Sequence, residues 1–344
     1  MQVKEFKNGE QAQWDKYVHA SQYSTPYHLS GWKDVLQEVF GIETHYLLAS
    51  ENDEVVGVLP LLHIKSLLTG HYVTSLPGGL CAEYESSAEA LLEKGKELVR
   101  KTNARYLILR DGRKKWDLPG LVTDEEHITL MVELDSDLEL IKSEFKKRTR
   151  QLVNKAVQSG LESETGLENL PDYYPIYAQA MKELGTPSPG IDFFMSMAAH
   201  FPEESNLLTI YYDDRIVGGG FMAPFKDTVY CTWAGMLREY YSLRSSHLLV
   251  WNTITYAFNN GFRWVDLGRC KKNSGSYVFK KDFGAEPRQL YQQSFLNGTS
   301  TPPSVGAAME EDPGYRTFVK VWRLLPLQVT EYLGPKLRKR VPFG

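Results

Sequence analysis

The sequence contains few cysteines and no long apolar segment. Cys81, Cys231 and Cys270 lie far apart and form no CxxC pair, so neither a disulfide framework nor a cysteine-rich zinc site is expected. The first residues show no apolar core of a signal peptide, and no stretch approaches the about 18 consecutive apolar residues of a membrane-spanning helix. These absences predict a protein of the reducing cytoplasm.

The chain also has no excess of charge of one sign. Its 344 residues include 39 Lys and Arg against 43 Asp and Glu, for a net charge of −4, so whole-chain basicity that would indicate nucleic-acid binding is missing. The distribution is uneven, because residues 315–344 hold seven basic residues and one acid. This segment predicts either contact with an anionic membrane surface, at the inner face of the membrane, or a packed final helix with a charged end.

Several common catalytic motifs are missing. The sequence has no Walker A loop, no GxGxxG after a strand, no HExxH and no GxSxG, so the reactions that depend on them lose support. The eight histidines are scattered and none is paired at i, i+4. No metal site is therefore expected.

One pattern of elements occurs twice in the chain. Residues 44–62 and 207–223 each indicate two strands around a polar turn. Each hairpin is followed by a strand, a helix that begins at a Ser-Ser pair and a further strand, at offsets of 158 to 161 residues. A duplication at this long period predicts two similar α/β domains rather than a solenoid. We expect a first lobe at 1–135, a second lobe at 136–300 and a basic tail at 301–344.

A helix is predicted between the two lobes, ending at Gly160. Its apolar stripe consists of Ile141, Phe145, Thr149, Leu152 and Ala156. The opposite face carries six cations: Lys142, Lys146, Lys147, Arg148, Arg150 and Lys155. Such a face is usually solvated, and the alternative is that it holds phosphates of a nucleotide sugar or a tRNA backbone.

The densest cluster of polar residues lies at 264–281. A strand that carries Asp266 leads into a glycine-rich basic loop with Arg269, Lys280 and Lys281, and ligands of α/β sheets bind near the carboxyl ends of strands. The positive charge suits an anionic substrate. The alternative interpretation is a structural ion pair between Asp266 and Arg269 beside solvated lysines.

Several motifs along the chain together carry a resemblance to a known family. They are Thr25-Pro-Tyr-His28 with Trp32, Gly57-Val-Leu-Pro-Leu61 with Lys65-Ser66, Ser75-Leu-Pro77, Lys147-Arg148-x-x-x-x-Val153-x-Lys155-Ala156-x-x-x-Gly160-Leu161, Gly185-Thr-Pro187, Asp266-x-Gly268-Arg269, Gly275-x-Tyr277-x-Phe279-Lys280-Lys281-x-Phe283-Gly284 and Trp322-x-x-Leu325-Pro326-Leu327. In this order they resemble the FemAB-type acyltransferases, the tandem-lobe branch of the GNAT superfamily. The resemblance is to FemAB-related proteins of bacterial exopolysaccharide (PEP-CTERM/exosortase-type) gene clusters, although Cys270 replaces the Ser or Thr usual after Gly-Arg.

The resemblance implies an α/β (α+β) fold of two tandem GNAT-like lobes, with mixed sheets flanked by helices. It further implies transfer of an acyl or aminoacyl group to an amine of a cell-envelope or exopolysaccharide precursor, without a tightly bound cofactor. GNAT relatives hold the pyrophosphate of acyl-CoA in a glycine-rich loop at a helix N-terminus. The second lobe keeps Arg244 there but lacks both glycines, and the first lobe has acids at 83–87. The donor therefore stays open between aminoacyl-tRNA and acyl-CoA.

Residue roles follow as hypotheses. Lys280 and Tyr277, with backbone amides near Arg269, bind the oxyanion or an acceptor phosphate, and Asp266 orients Arg269 or relays the amine proton. The residues expected to bind substrate are Arg269, Lys281, Arg148, Trp233, Tyr241, Arg244 and His247.

Two other functions remain open at this point. One is a CoA-dependent GNAT N-acetyltransferase that acts on an amino sugar or a lipid-linked glycan. The other is a non-catalytic scaffold of an envelope polysaccharide pathway, with which the altered phosphate loops are compatible. The response to charged tRNA, acyl-CoA or a protein partner distinguishes the three.

Overall fold

The computed structural model describes residues 1–66, 70–299 and 313–339. Contacts divide the chain into two compact units. The first unit consists of Met1–His127, Gln289–Tyr315 and Lys336–Gly344, and the second of Ile128–Arg288 and Arg316–Pro335. Each unit contains one sheet and its own hydrophobic core.

The first unit is built on an eight-stranded sheet. Its strands are β1 (Gln2–Glu5), β2 (Glu43–Glu51), β3 (Glu54–Ser66), β4 (Gly70–Ser75), β5 (Cys81–Ala82), β6 (Tyr106–Gly112), β7 (Leu121–Asp124) and β15 (Tyr291–Leu296). The strand order is β1-β2-β3-β4-β6-β15-β7, and β5 pairs with β3. Its helices are α1 (Gln11–Ala20), α2 (Trp32–Phe40) and α3 (Glu85–Lys101).

The second unit has a seven-stranded sheet in the order β14-β8-β13-β12-β11-β10-β9. The strands are β8 (His127–Glu133), β9 (Leu161–Thr165), β10 (Asn206–Tyr212), β11 (Arg215–Phe225), β12 (Thr228–Met236), β13 (Trp264–Lys271) and β14 (Glu286–Gln289). The helices are α4 (Leu138–Ser143), α5 (Lys147–Gln158), α6 (Leu170–Leu184), α7 (Ile191–His200), α8 (Ser245–Asn259), α9 (Gly275–Lys281), α10 (Pro313–Leu324) and α11 (Leu327–Arg338). The segment Arg238–Leu243 before α8 is a 3₁₀ helix.

The predicted repeat is present in both sheets. Hairpin β2–β3 turns at Asn52 and Asp53, with φ of 49° and 64°, and hairpin β10–β11 turns at Asp213 and Asp214, with φ of 48° and 59°. Asn and Asp tolerate this left-handed backbone, and two such residues match the twist of the flanking strands. The sequence therefore predicts the same hairpin twice for the same local reason.

Each repeat continues with a helix on its sheet. In the first unit, Leu91 and Leu92 of α3 are fully buried in one cluster with Leu61 and Leu107 of the sheet. In the second unit, Ile254 and Ala257 of α8 are buried with Val229 and Val265. Burial of aliphatic side chains, at about 25 cal/mol per Å² of apolar surface, drives this packing in both copies.

The prediction of a single continuous helix between the lobes is wrong. The structure has two helices, α4 and α5, because the Lys146 amide donates to the carbonyl of Asp282 (2.9 Å). Arg150 Nη1 then donates to the carbonyls of Ser143 and Phe145 (2.6 Å each) at the end of α4. The helix restarts at Lys147, which shifts the periodicity so that Val153 is fully buried.

The compact units divide the chain differently from the boundaries expected from the sequence. Strand β8 lies within the expected first lobe but belongs to the second sheet, and β15 lies within the expected second lobe but belongs to the first. There β15 pairs with β6 and β7, for example Ser294 with Ile108 and Val122. Pairing between strands so distant in sequence leaves no local signal.

Helices α10 and α11 form within the predicted basic tail, of which residues 301–312 and 340–344 lie outside the described residues. Trp322 of α10 is buried, and Arg323 donates to the carbonyl of Leu184 at the end of α6 (3.1 Å). Across the described ranges, none of the helices combines the length and apolar character that crossing a membrane requires.

Candidate active site

A cleft of about 370 Å³ opens in the second unit where two strands stop pairing. Strands β12 and β13 run parallel and pair from Thr228 opposite Trp264 to Tyr230 opposite Asp266. Beyond this point residues 231–236 of β12 line the cleft, together with side chains of α6, α8 and α9. The carboxyl end of a parallel strand pair is a usual place for a ligand.

One wall of the cleft is a β-bulge in β12. Gly219 pairs with Gly235 and Phe221 with Thr232, so two residues of β12, Trp233 and Ala234, lie opposite one of β11. Trp233 has a φ of 41°. A bulge takes backbone groups out of the strand ladder, and here it does so at the cleft.

Tyr173 of α6 forms hydrogen bonds to both strands at the bulge. Its hydroxyl donates to the carbonyl oxygens of Gly219 (3.0 Å) and Trp233 (2.8 Å), and its side chain is almost completely buried. The backbone conformation of the cleft wall is therefore coupled to a side chain that lies in the core.

Lys280 supplies positive charge to the cleft. Its Nζ donates to the carbonyl oxygens of Gly268 (2.7 Å) and Arg269 (3.2 Å) at the end of β13, and the residue lines the cleft. Burial lowers the pKa of its amine below the usual value, and the nearby Cys270, Asp266 and Cys231 oppose this shift. Helix α9, capped by the Ser274 side chain, fixes the lysine in this place.

Asp266 is buried at the position where the pairing of β12 and β13 ends. Its carboxylate accepts hydrogen bonds from the Thr129 hydroxyl and from the Gly268 amide (2.8 Å). Since Gly268 has a φ of 82° and also presents its carbonyl to Lys280, the carboxylate stabilises the turn that anchors the lysine. In the described structure Asp266 is not among the residues that line the cleft.

The structure brings Trp233, Tyr241 and Lys280 to one cleft, and their roles in binding and catalysis stay predictions. Tyr277 is placed elsewhere: its ring packs against the hydrophobic core, and its amide donates to Ser274 (3.2 Å) at the start of α9. Its hypothesised place at the cleft therefore has no support in this geometry.

Arg244 and His247 lie at the start of α8. Arg244 precedes the helix with a φ of 68°, and its carbonyl accepts from the His247 amide (2.9 Å). Burial and the charge of Arg244 lower the pKa of the His247 imidazole, and Asp282 partly offsets them. Ser246, in the first turn of α8, lines the cleft, so an anion bound at this helix N-terminus would lie next to it.

The other predicted binding residues, Lys281, Arg148 and Arg269, are not among the described residues that line the cleft. Lys281 pairs with Glu286 (2.9 Å), and Arg148 is exposed in the first turn of α5. Arg269 contributes the backbone carbonyl that accepts from Lys280. Among the described cations of the 264–281 cluster, Lys280 is the one that lines the cleft.

Sequence reasoning missed a carboxylate in the cleft wall. Glu183 of α6 lines the cleft, accepts from Gln179 Nε2 (2.7 Å) and lies 3.6 Å from Arg238 Nε. The sequence feature that could have indicated Glu183 is its position two residues before Gly185, in the Gly-Thr-Pro motif. A carboxylate beside bound substrate can accept a proton.

Cys231 and Cys270 are free cysteines of the second unit. Burial raises the pKa of Cys231 to about 12 and also raises the pKa of Cys270. A cysteine nucleophile needs the thiolate, so this environment disfavours nucleophilic catalysis by either residue.

Comparison with known proteins agrees with this architecture. Residues 143–281, which include α8, β13 and Lys280, match the model of the acetyltransferase (GNAT) domain. The crystal structure of FemX superposes with a TM-score of 0.69 at 15% identity and covers 86% of this chain and 98% of FemX. A tandem GNAT protein from the clavulanic acid biosynthesis pathway gives 0.56 at 12% identity, covering 87% of this chain and 99% of that one.

The protein has the tandem GNAT fold. The predicted fold class and the FemAB-type resemblance are thereby confirmed, whereas the exopolysaccharide gene cluster stays a prediction. Another similar structure with this fold is the C-terminal domain (DUF2156) of a candidate lysylphosphatidylglycerol synthetase from Agrobacterium fabrum, with a TM-score of 0.59 at 12% identity, covering 84% of this chain and 92% of that one. No curated protein sequence matches this chain.

Proposed function

We propose that the protein is an acyltransferase that moves an acyl or aminoacyl group from an activated donor to an amine of a cell-envelope or exopolysaccharide precursor. The observation that carries the proposal is the cleft beyond the paired part of β12 and β13. There the ammonium group of Lys280 and the bulge at Trp233 line the same space.

The geometry suits attack of an amine on an ester or thioester. The new C–N bond forms as the carbonyl oxygen gains negative charge, and the C–O or C–S bond of the donor then breaks. Lys280 and backbone amides of the bulge stabilise the oxyanion, and Glu183 accepts the amine proton, which finally passes to the leaving group. Holding both substrates in place supplies about 7–11 kcal/mol of the barrier reduction.

The start of α8 supports a phosphate-bearing donor. Arg244 lies beside the first-turn amides, and Ser246 faces the cleft, so a phosphate there places the attached acyl group near Lys280. The likeness to a candidate lysylphosphatidylglycerol synthetase supports an aminoacyl group. The match to the GNAT domain supports the second candidate, a CoA-dependent N-acetyltransferase that acts on an amino sugar or a lipid-linked glycan.

The C-terminal helices support an acceptor at a membrane surface. Leu324 of α10 is 85% exposed and Tyr332 of α11 is 66% exposed, and Lys320 and Lys336 lie on the same two helices. Apolar side chains beside cations favour binding to anionic lipid. We expect the chain to co-sediment with phosphatidylglycerol vesicles but not phosphatidylcholine vesicles, and Leu324→Asp to weaken binding; equal binding to both would contradict this contact.

The decisive experiment supplies purified protein with charged tRNA, acetyl-CoA or longer acyl-CoA and a cell-envelope extract, and detects the transferred mass by mass spectrometry. Lys280→Ala should lower the transfer rate by about 10²–10³-fold, the usual loss on removal of an oxyanion donor. Lys272→Ala, at an exposed lysine of the same segment, is the matched control. Lys281→Ala tests the substrate role predicted from the sequence.

The outcomes separate the candidate functions. Transfer from charged tRNA supports aminoacyl transfer, and transfer from acyl-CoA supports the second candidate. A folded Lys280→Ala variant with the wild-type rate would place the reaction elsewhere. No transfer from any donor, together with a stable protein partner in pull-downs, would contradict both activities and favour a scaffold.

A further inference from the structure

Four side chains with metal-binding atoms meet on the sheet of the first unit. Glu43 and His45 lie on β2, His63 on β3 and His71 on β4. The strand register pairs Glu43 with His63 and Lys65 with His71. Because alternate residues of a strand share one face, the backbone places all four histidine and glutamate side chains on the same face.

The ligating atoms are close to one another. Glu43 Oε1 lies 3.2 Å from His45 Nε2, and Glu43 Oε2 lies 3.0 Å from His63 Nδ1. One ligand atom from each of the three residues lies within 4.8 Å of the other two. Zinc binds nitrogen and oxygen at about 2.0–2.2 Å, so tetrahedral ligand atoms are separated by about 3.3 Å. The two contacts of Glu43, at 3.2 and 3.0 Å, are close to this separation.

His45 and His63 each have a second partner, on the ring nitrogen that does not contact Glu43. His45 Nδ1 lies 3.0 Å from Glu5 Oε1, and His63 Nε2 contacts His71 Nε2. Metal-binding histidines usually donate their other ring N–H to such an acceptor, which fixes the tautomer and the ring orientation. A metal ion can reach the three residues from solvent through Glu43, because its side chain is 50% exposed. The His63 side chain, at 3% exposed, is held in the interior.

We propose that Glu43, His45 and His63 form a binding site for a divalent transition-metal ion, Zn²⁺ by the chemistry of its ligands. Two imidazole nitrogens and one carboxylate leave a fourth position for water or another ligand. Glu5 and His71 are positioning residues that hold the two imidazole rings. The site does not depend on the proposed acyl transfer.

This site differs from the sequence expectation, which allowed for no metal. That expectation rested on the lack of an i, i+4 histidine pair, a spacing that applies to helices. On strands the equivalent arrangement is i, i+2 along β2 and a cross-strand partner on β3.

Lys65 contacts the carboxylate of the proposed site. Its Nζ lies 3.4 Å from Glu43 Oε2, and its side chain is 66% exposed. An ammonium group at this carboxylate competes with a metal ion for the same oxygens. Because the lysine is exposed, it can move into solvent when metal binds.

The test uses the full-length chain without a polyhistidine tag, treated with chelator and then titrated with Zn²⁺ by calorimetry and with Co²⁺ by visible absorption. We expect one equivalent of metal and the intense bands of tetrahedral Co²⁺. His63→Ala and Glu43→Gln should abolish binding, and His71→Ala should weaken it about 10–100-fold. His19→Ala, at an exposed histidine of α1, is the matched control and should bind like the wild type.

Lys65→Gln keeps the test decisive if a variant at buried His63 does not fold. Removing the competing ammonium group should tighten metal binding without disturbing the sheet. Metal that binds equally to the wild type, Glu43→Gln and His63→Ala would overturn the proposal. So would the lack of a stoichiometric Zn²⁺ signal in wild type and in Lys65→Gln.

Discussion

Replacement of Tyr173 by phenylalanine tests whether the cleft wall depends on the core beneath it. The substitution removes one hydroxyl and keeps the ring, so packing against Tyr177 and the sheet is preserved. It deprives the Gly219 and Trp233 carbonyls of their shared donor. The substitution changes no other contact that Tyr173 makes with the bulge.

The expected loss of stability follows from these contacts. The hydroxyl has one proton, so the two contacts count as one shared bond, worth about 0.5–1.5 kcal/mol net. We expect Tyr173→Phe to lower the unfolding free energy by this amount and to slow acyl transfer, because the bulge is less fixed.

Urea unfolding followed by circular dichroism measures the first effect, and the transfer assay measures the second. Tyr46→Phe is the control: Tyr46 is also fully buried, and within the described residues its hydroxyl has no hydrogen-bond partner. Removing that hydroxyl should leave stability unchanged or increase it. If the two variants behave alike, with unchanged transfer, the sheet holds the bulge and the reasoning is refuted.

Two further predictions concern the same unit. Gly219→Ala should lower the stability to thermal unfolding by about 1–3 kcal/mol, because the added Cβ would lie 2.5 Å from the Leu208 carbonyl oxygen. The control is Gly275→Ala, which should be near neutral because nothing lies within 4 Å of the added Cβ. Equal loss of stability in the two variants would contradict the close approach at Gly219. Burial lowers the pKa of Lys280, so transfer should decline on the alkaline side as the ammonium group loses its proton, at a lower pH than for an ordinary lysine. Lys280→Arg, which stays charged, should remove that decline, and an unchanged pH profile would contradict the assignment.

Local features of the sequence predicted most of the repeated elements. The paired turn residues Asn52-Asp53 and Asp213-Asp214 specify both hairpins, since only a few residue types adopt a left-handed backbone there. The apolar periodicity of α3 and the Ser-Ser pair that begins α8 likewise predict helices that the structure contains. These signals act within one element, where spacing alone determines which side chains share a face.

Features that depend on pairing between distant segments could not be predicted. The contact between Lys146 and Asp282 interrupts the predicted inter-lobe helix, although its apolar stripe continues in the sequence. Glu183 reaches the cleft from α6, more than eighty residues before Lys280. Likewise, Glu43 and His63 meet only because of the register between β2 and β3.

The two repeats differ at the position where the cleft forms. In the first unit β4 and β6 pair in parallel up to Thr74 opposite Ile108, which corresponds to Tyr230 opposite Asp266 in the second unit. Beyond that point the Arg110 amide donates to the Ser75 hydroxyl (2.8 Å), and the Arg110 carbonyl accepts from the Gly78 amide (2.9 Å).

The residue of β13 that corresponds to Arg110 is Gly268, and its bonding partners are different. Its amide donates to Asp266 and its carbonyl accepts from Lys280, so neither group bonds back to β12. Ile108, at the position of Asp266, has no carboxylate to hold such a turn. The chain that follows β4 therefore stays bonded to β6, whereas the chain that follows Tyr230 separates from β13 at the cleft. Arg110 and Gly268 occupy the same position in the two repeats. Their different hydrogen bonds explain why the candidate active site lies in the second copy.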